Sequence, residues 1–392
     1  MSVARGDAVS LTRELVRIDS RNPSLVRGGP GEGAAACTLG TILRDWGFRV
    51  EVVDAAPGRP NVIARIGRAG SRTLMFNGHL DVVGTEGMIH DPWMPPDRGG
   101  RIFGRGASDM KAGVAAMCAA AARAANADGE IDGEIIVAAV IDEEFESVGT
   151  RVLLERGVRA DAAIVTEPTR LAVMPAHLGF AWIEITIHGR AAHGSRWDLG
   201  IDAIRHAGLL LAELDRLDAV ELPRHSHPLL GRPSVHASTI EGGTGMSTYP
   251  ERCVIRVERR TIPGETPQRV CDEIESVCAG LRERCPDFSA DVMLMFSQSP
   301  SDVKLDSPIV QALADALRSV GEPLRVEGMS AWTDAALLNA AGVPAICFGP
   351  GDISVAHAAE EWVERAEIER ATDVLTSLAV SWCGHRDGAW AS

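Results

Sequence analysis

Hydrophobic and polar positions alternate with two different periods along this chain. Between Phe48 and Pro168, short apolar, β-rich runs recur: FRVEVVD, NVIARIG, TLMFNGHLDVV, EIIVAAVID and AAIVTEP. Each is predicted as a strand. Among the later runs lie MKAGVAAMCAAAARAANA (residues 110–127), Ala-rich and predicted helical, and SVGTRVLLERG, a helix closed by Gly157. Strands and helices in alternation predict an α/β sheet with helices on both faces.

After Glu167-Pro168 the pattern changes. AWIEITIHG alternates strictly, with Ile183, Ile185 and Ile187 on one face and Glu184, Thr186 and His188 on the other. That is the signature of a sheet with one wet side. A helix (LGIDAIRHAGLLLAELDRL), two strands (SVHASTIEGG and CVIRVERR), a second helix (TPQRVCDEIESVCAGLRER) and a closing strand (SADVMLMFS) follow. Thr266 caps the second helix and Pro267 opens it. The order β-α-β-β-α-β is that of a ferredoxin-like unit. The α/β pattern then resumes with SPIVQALADALRSVG, LRVEGM, AWTDAALLNAAG, PAICFGPG and a long terminal helix. The expected organisation is therefore one α/β domain, residues 1–178 with 298–392, into which a smaller domain of residues 179–297 is inserted.

Composition narrows the possibilities. At 392 residues, 45% hydrophobic and 24% charged, the chain reads as an ordinary globular protein with more than one core. A net charge of -15 argues against nucleic acid or an anionic membrane as partner. Charges throughout the N-terminal segment predict no signal peptide, and no stretch is apolar enough to span a bilayer. The eight cysteines are scattered without a C-x-x-C pair, so neither disulfides nor a cysteine zinc site is expected. Cys271, Cys278 and Cys285 recur every seven residues beside Val270, Ile274, Val277 and Leu281, as small core residues along one helix face. A cytoplasmic location is the expectation.

In open α/β sheets, ligands sit beyond the carboxyl ends of the strands. Five segments carry chemistry to such positions, and four of them follow a predicted strand. His79 and Asp81 follow TLMFNG; Asp142, Glu143 and Glu144 follow EIIVAAVI; Glu167 ends AAIVTEP; His357 follows PAICFGPG; and Asp109 precedes the Ala-rich helix. His-x-Asp, an acidic triplet or Glu-Pro says little alone, and their joint occurrence carries the reading. Carboxylates crowded at one rim repel one another unless cations bind there. Mixed imidazole and carboxylate ligands suit zinc, with cobalt or manganese as substitutes. So many acids are consistent with two metals about 3.5–4 Å apart sharing a carboxylate. Asp81 is then expected to accept the second ring N–H of His79 and fix its tautomer.

These residues stand in motifs, GHLDVVG, GRGASDMKAG, DEEFESVG, TEPT, GRAAHGS, ERRTIPGET and FGPGDISVAH, that resemble those of the dinuclear zinc exopeptidases and N-deacylases. The family includes acetylornithine deacetylase, succinyl-diaminopimelate desuccinylase, aminoacylase and the glutamate carboxypeptidases, and the resemblance covers nearly the whole chain. It implies a mixed-sheet catalytic domain with an inserted ferredoxin-like lid and dimerisation domain. It also implies two Zn2+ per subunit, held by His79, Asp109 and Glu167 and by Asp109, Glu144 and His357, with Asp109 bridging. Glu143 is implied as the general base that activates a metal-bound water, and Asp81 supports His79. The Asp109–Met110 peptide is implied to be cis.

In the inserted domain the resemblance gives His193 the task of stabilising an oxyanion in a neighbouring subunit, which implies a homodimer. Arg260 matches an arginine that binds a substrate carboxylate, and the N–H groups of Gly349 and Gly351 are expected to face the same carboxylate. Ser247, in STYP, stands where many relatives carry Asn at a substrate or subunit contact. Glu167 replaces the Asp common in aminopeptidase branches and leans toward deacylases and carboxypeptidases. The implied function is removal of an N-acyl group, acetyl, succinyl or similar, from an amino acid or related small carboxylate. A carboxypeptidase or dipeptidase using the same residues is the alternative, and a retired homologue that binds without turnover is disfavoured by the presence of Glu143 and every ligand.

Overall fold

The computed structural model describes residues 3–69, 72–94, 97–126 and 131–384. They form two compact units. One holds residues up to 175 with 303–327 and 333 onward, and the other holds 176–302 with 328–332. The insertion therefore begins and ends a few residues outside the expected 179–297.

The first unit is built on a mixed sheet. Its strands run, in spatial order, Arg49–Ala56, Arg59–Gly67, Glu134–Val140, Thr73–His79, Ala162–Val165, Ala345–Cys347 and Val173–His177, the last crossing into the second unit. The four central strands, from Glu134–Val140 to Ala345–Cys347, are mutually parallel. The flanking pairs are antiparallel. Four parallel strands place four carboxyl ends on one rim, and this positions the site.

Alternation along the buried strands feeds two layers. Leu74 and Phe76 pack with the helices Ala112–Ala124 and Arg365–Cys383 in one core. Asn77, of opposite pleat to Phe76, donates to Thr150 on the helix Val148–Glu155. Helices thus cover both faces, as the alternation predicts. The Ala-rich helix is buried all round because its small side chains let it lie close to the sheet. Gly113 marks the closest approach: a Cβ there would stand 1.9 Å from the Thr166 carbonyl oxygen.

The second unit has the antiparallel order Ser234–Gly242, Arg252–Thr261, Gly179–His188, Ser289–Gln298, the ferredoxin-like arrangement. Ile183, Ile185 and Ile187 are fully buried beneath the helices Ala203–Arg216 and Pro267–Arg284. Cys278 is buried in this core, and Cys271 and Cys285 pack at its margin.

Local boundaries depart from the sequence pattern. The strand beginning at Thr73 ends at His79, not at Val83. The helix predicted over 110–127 starts at Ala112, because residues 107–111 form a tight turn that contains the cis Asp109–Met110 bond; Ala127 lies outside the described residues. The chain also forms helices Ala8–Val16 and Gly33–Asp45 before the first strand. Among the described residues no helix is long and apolar enough to cross a membrane.

Candidate metal centre

The rim of the first unit gathers two groups of ligand side chains that share Asp109: His79 with Asp109 and Glu167, and Asp109 with Glu144 and His357. Within each group one ligand atom per residue lies within 4.8 Å of the others. The two oxygens of Asp109 face opposite ways. Oδ1 is 3.1 Å from His79 Nε2, and Oδ2 is 3.4 Å from His357 Nε2. His357 Nε2 is also 3.1 Å from Glu144 Oε1, and Glu143 Oε2 is 3.8 Å from His79 Nε2.

Each ligand arrives by its own route. His79 is the last residue of its strand, and Glu167 follows the strand Ala162–Val165 by two residues. Asp142, at φ +65°, turns the chain sharply after Ile141 and presents Glu143 and Glu144. An Asp tolerates this left-handed conformation because its short side chain bonds locally; Oδ2 accepts the Glu146 N–H at 3.3 Å. His357 sits at φ +60° in a segment without regular structure between Val355 and Trp362.

Asp81 departs from its expected contact. The ring Nδ1 of His79 bonds the main-chain oxygen of Asp81 at 2.9 Å, and the Asp81 carboxylate stands at 3.6 Å. That carboxylate is occupied elsewhere. It accepts the N–H groups of Glu143 and Glu144, each at 3.2 Å, and the side-chain amide of Asn22 at 2.9 Å. Asp81 thus fixes the imidazole through its carbonyl and the Glu143-Glu144 backbone through its side chain.

The electrostatics fit cations. Burial, with Asp109, Glu144 and Asp334 nearby, raises the Glu167 carboxyl well above its usual range. Burial and the charges of Glu167, Asp334 and Glu144 do the same to Glu143. Burial likewise lifts Asp81, to about 7. Against its burial, hydrogen bonds donated to the Asp109 and Glu144 carboxylates raise the His357 imidazole to about 10. Glu167 Oε1 is buried without a hydrogen-bond partner. A cluster with this excess of negative charge and an orphaned carboxylate oxygen suits two divalent cations.

Gly349 and Gly351 do not present free N–H groups, which corrects the expectation for them. Gly349 donates to Thr169 Oγ1 at 3.1 Å and Gly351 to Glu367 at 3.0 Å. Gly349 instead serves close approach: a Cβ there would lie 2.5 Å from the Glu167 carbonyl oxygen.

His193, Ser247 and Arg260 belong to the second unit. His193 is exposed and its Nδ1 meets Ser195 Oγ at 2.8 Å. Its loop is laced to that of Ser247, with the Gly194 N–H on the Ser247 carbonyl at 2.7 Å and the Tyr249 N–H on the Ala192 carbonyl at 2.9 Å. Arg260 stands opposite Phe180, at the start of the strand that ends at His188. It donates to Glu258 at 2.7 Å.

Residues absent from the sequence-based list support the rim. Arg59 joins the buried carboxylates of Glu32 and Asp142 at 2.6 and 2.9 Å, and also donates to Asn22. Glu361 accepts the Ser108 and Asp109 N–H groups. Neither set has a local sequence signature.

The profile of the peptidase family M20/M25/M40 matches residues 75–381. The chain belongs to that family. Among curated relatives, this M20-family chain is similar to an acetylornithine deacetylase of Myxococcus xanthus, 32% identical over 338 residues covering 85% of this chain and 87% of that protein. It is also similar to an N-formyl-4-amino-5-aminomethyl-2-methylpyrimidine deformylase of Bacillus subtilis, 29% identical over 374 residues covering 88% of each. A solved M20-family dinuclear metal binding peptidase from Bacillus subtilis shares the fold, with TM-score 0.74 and 19% identity, covering 96% of this chain and 97% of that one.

Proposed function

We propose that the protein is a metal-dependent amidohydrolase that removes an N-acyl group, acetyl, succinyl or similar, from an amino acid or related small carboxylate. The observation that carries this reading is the pair of ligand groups sharing Asp109, with Glu143 beside them free of either group. The similarity to a deacetylase and to a deformylase supports the acyl-amide class. The same chemistry on a peptide bond, as a carboxypeptidase or dipeptidase, is the second reading, supported by membership of a peptidase family.

His79, Asp109 and Glu167 hold one cation and Asp109, Glu144 and His357 the other, two Zn2+ per subunit with Co2+ or Mn2+ as substitutes. When bound, the cations supply Lewis acidity to the scissile carbonyl and draw a water toward ionisation near neutral pH. Glu143 takes the proton of the attacking water and returns it to the leaving nitrogen. Asp81 keeps the Glu143 backbone in place for both transfers. Arg260 binds the substrate carboxylate through its guanidinium, and Ser247 contributes a polar contact.

His193 of a second copy stabilises the tetrahedral oxyanion. Two observations support this division of labour. Arg260 and His193 lie toward opposite ends of one strand, since Arg260 pairs with Phe180 whereas His193 follows His188. The stretch between Phe180 and His188 spans roughly 26 Å at about 3.3 Å per residue. Further, Ser234–Gly242 is a sheet edge exposed from His236 onward. Pairing with a second copy covers such an edge.

Metal analysis of gently purified protein tests the reading: two equivalents of transition metal per chain are expected, with turnover abolished by chelation. A fully active protein without transition metal contradicts it.

A further inference from the structure

Glu361 lies four residues beyond His357 and is completely buried. Its Oε1 accepts the N–H of Ser108 at 2.9 Å and that of Asp109 at 3.1 Å. Its Oε2 accepts from Arg105 Nη1 at 2.6 Å. Arg105, also buried, gives Nε to the Gly84 carbonyl at 2.8 Å and Nη2 to the Ala358 carbonyl at 3.4 Å. On the near side of His357, Ser108 Oγ donates to the Asp352 carbonyl at 3.1 Å and accepts the Asp352 N–H at 3.0 Å. The segment from Asp352 to Glu361 is therefore fastened at both ends to the turn that carries Asp109.

That fastening falls unequally on the two ligand groups. His79 terminates a sheet strand and Glu167 closely follows another, so the ladder of the sheet holds them. His357 has no such support. Its side chain is 50% exposed, its φ is +60°, and regular structure resumes at Trp362. Glu361 is the buried charge on its segment, and the buried Arg105, which precedes the Asp109 turn, is the partner of that charge. Burying such a pair costs desolvation that apolar side chains would not incur, while two N–H bonds to one carboxylate fix the Asp109 turn.

We propose that Glu361 and Arg105 are positioning residues for the second cation: they set the Asp109, Glu144 and His357 group by locking the His357 segment to the Asp109 turn. This rests on the reading of the rim as a metal pair.

Metal-free wild type and Glu361→Gln are titrated with Zn2+ against a chromophoric chelator, with near-ultraviolet circular dichroism reporting the fold. Wild type is expected to bind two equivalents. In the variant the first equivalent binds within about threefold of wild type and the second is weakened about 10–100-fold. Excess Zn2+ restores turnover. If Glu361→Gln does not fold, Arg105→Lys, which keeps the charge but loses the forked contacts, is read in the same way. A merely structural role lowers the melting temperature without separating the two equivalents. Two equivalents bound as in wild type, or both weakened alike, overturn the proposal and leave the metal pair standing. Failure of wild type to take up a second equivalent overturns the metal pair as well.

Discussion

Asn22 Nδ2 donates to Asp81 Oδ2 at 2.9 Å, between two completely buried side chains 59 residues apart in sequence. The same amide donates to Asp142 Oδ1 at 3.0 Å, and its oxygen accepts from Arg59 at 3.1 Å. Asn22 is thus the neutral spacer between the Asp81 carboxylate, which accepts the Glu143 and Glu144 N–H groups, and the Asp142 carboxylate, which accepts that of Glu146. Asn22→Ala strands acceptors on both, at a cost of about 1–3 kcal/mol in denaturant unfolding. Because Asp81 then loses its anchor, kcat is expected to fall about tenfold with KM less affected. A folded Asn22→Ala protein with wild-type kcat would show that Asp81 needs no such support.

Glu143→Gln keeps the shape of the proposed base and removes its function. Bound metal should remain at two equivalents while kcat falls by about 10²–10⁴. Survival of activity within a few-fold would remove Glu143 from the mechanism.

The proposed use of His193 across subunits has a genetic form of test. Glu143→Gln and His193→Ala chains, each inactive alone, are co-expressed so that mixed dimers form. One site of a mixed dimer carries both lesions and the other neither, so up to about half of a dimer's activity returns. Absence of complementation between dimeric, metal-loaded variants would place His193 within its own chain's chemistry or outside catalysis.

A pH dependence follows from His177 in the second unit. The residue is 2% exposed, and burial pushes its imidazole down to about 4, although the Leu178 carbonyl at 2.9 Å raises it. The folded value lies below the ordinary 6.5, so between about pH 4 and 6.5 the unfolded chain binds a proton that the native chain does not. The contribution to stability is complete above about pH 6.5 and is lost as pH falls toward 4. Its size is about 3 kcal/mol. Urea unfolding at pH 7 and pH 4.5 should show a smaller loss for His177→Gln than for wild type. Equal losses would mean that this imidazole titrates normally.

The residues that meet at the rim were legible because each follows an apolar run that could be read as a strand, or opens a helix. His79, Glu143 and Glu167 needed no tertiary information beyond the rule that parallel strands present their carboxyl ends together. The alternation of Ile183, Ile185 and Ile187 likewise announced a half-buried sheet. What stayed hidden depends on distant partners. Glu32 precedes the helix Gly33–Asp45 but makes no capping bond, because its carboxylate is committed to Arg59. Local capping chemistry therefore did not mark that helix. Glu361 reads as one acid in AAEEW until the fold brings it to Ser108 and Asp109, 253 and 252 residues away. The helix Ala8–Val16 did carry a signal, with Asp7 as cap and Leu11, Leu15 and Val16 on its buried face.

Hydrolysis by the zinc- or cobalt-loaded protein is the most direct measurement of function. N-acetyl, N-succinyl and longer N-acyl amino acids are compared with dipeptides, each with and without chelator. Metal-dependent release of the free amino acid from at least one N-acyl substrate, faster than from any dipeptide, is the predicted result. Turnover confined to dipeptides would contradict the deacylase assignment, and chelator-resistant turnover would contradict the metal centre itself.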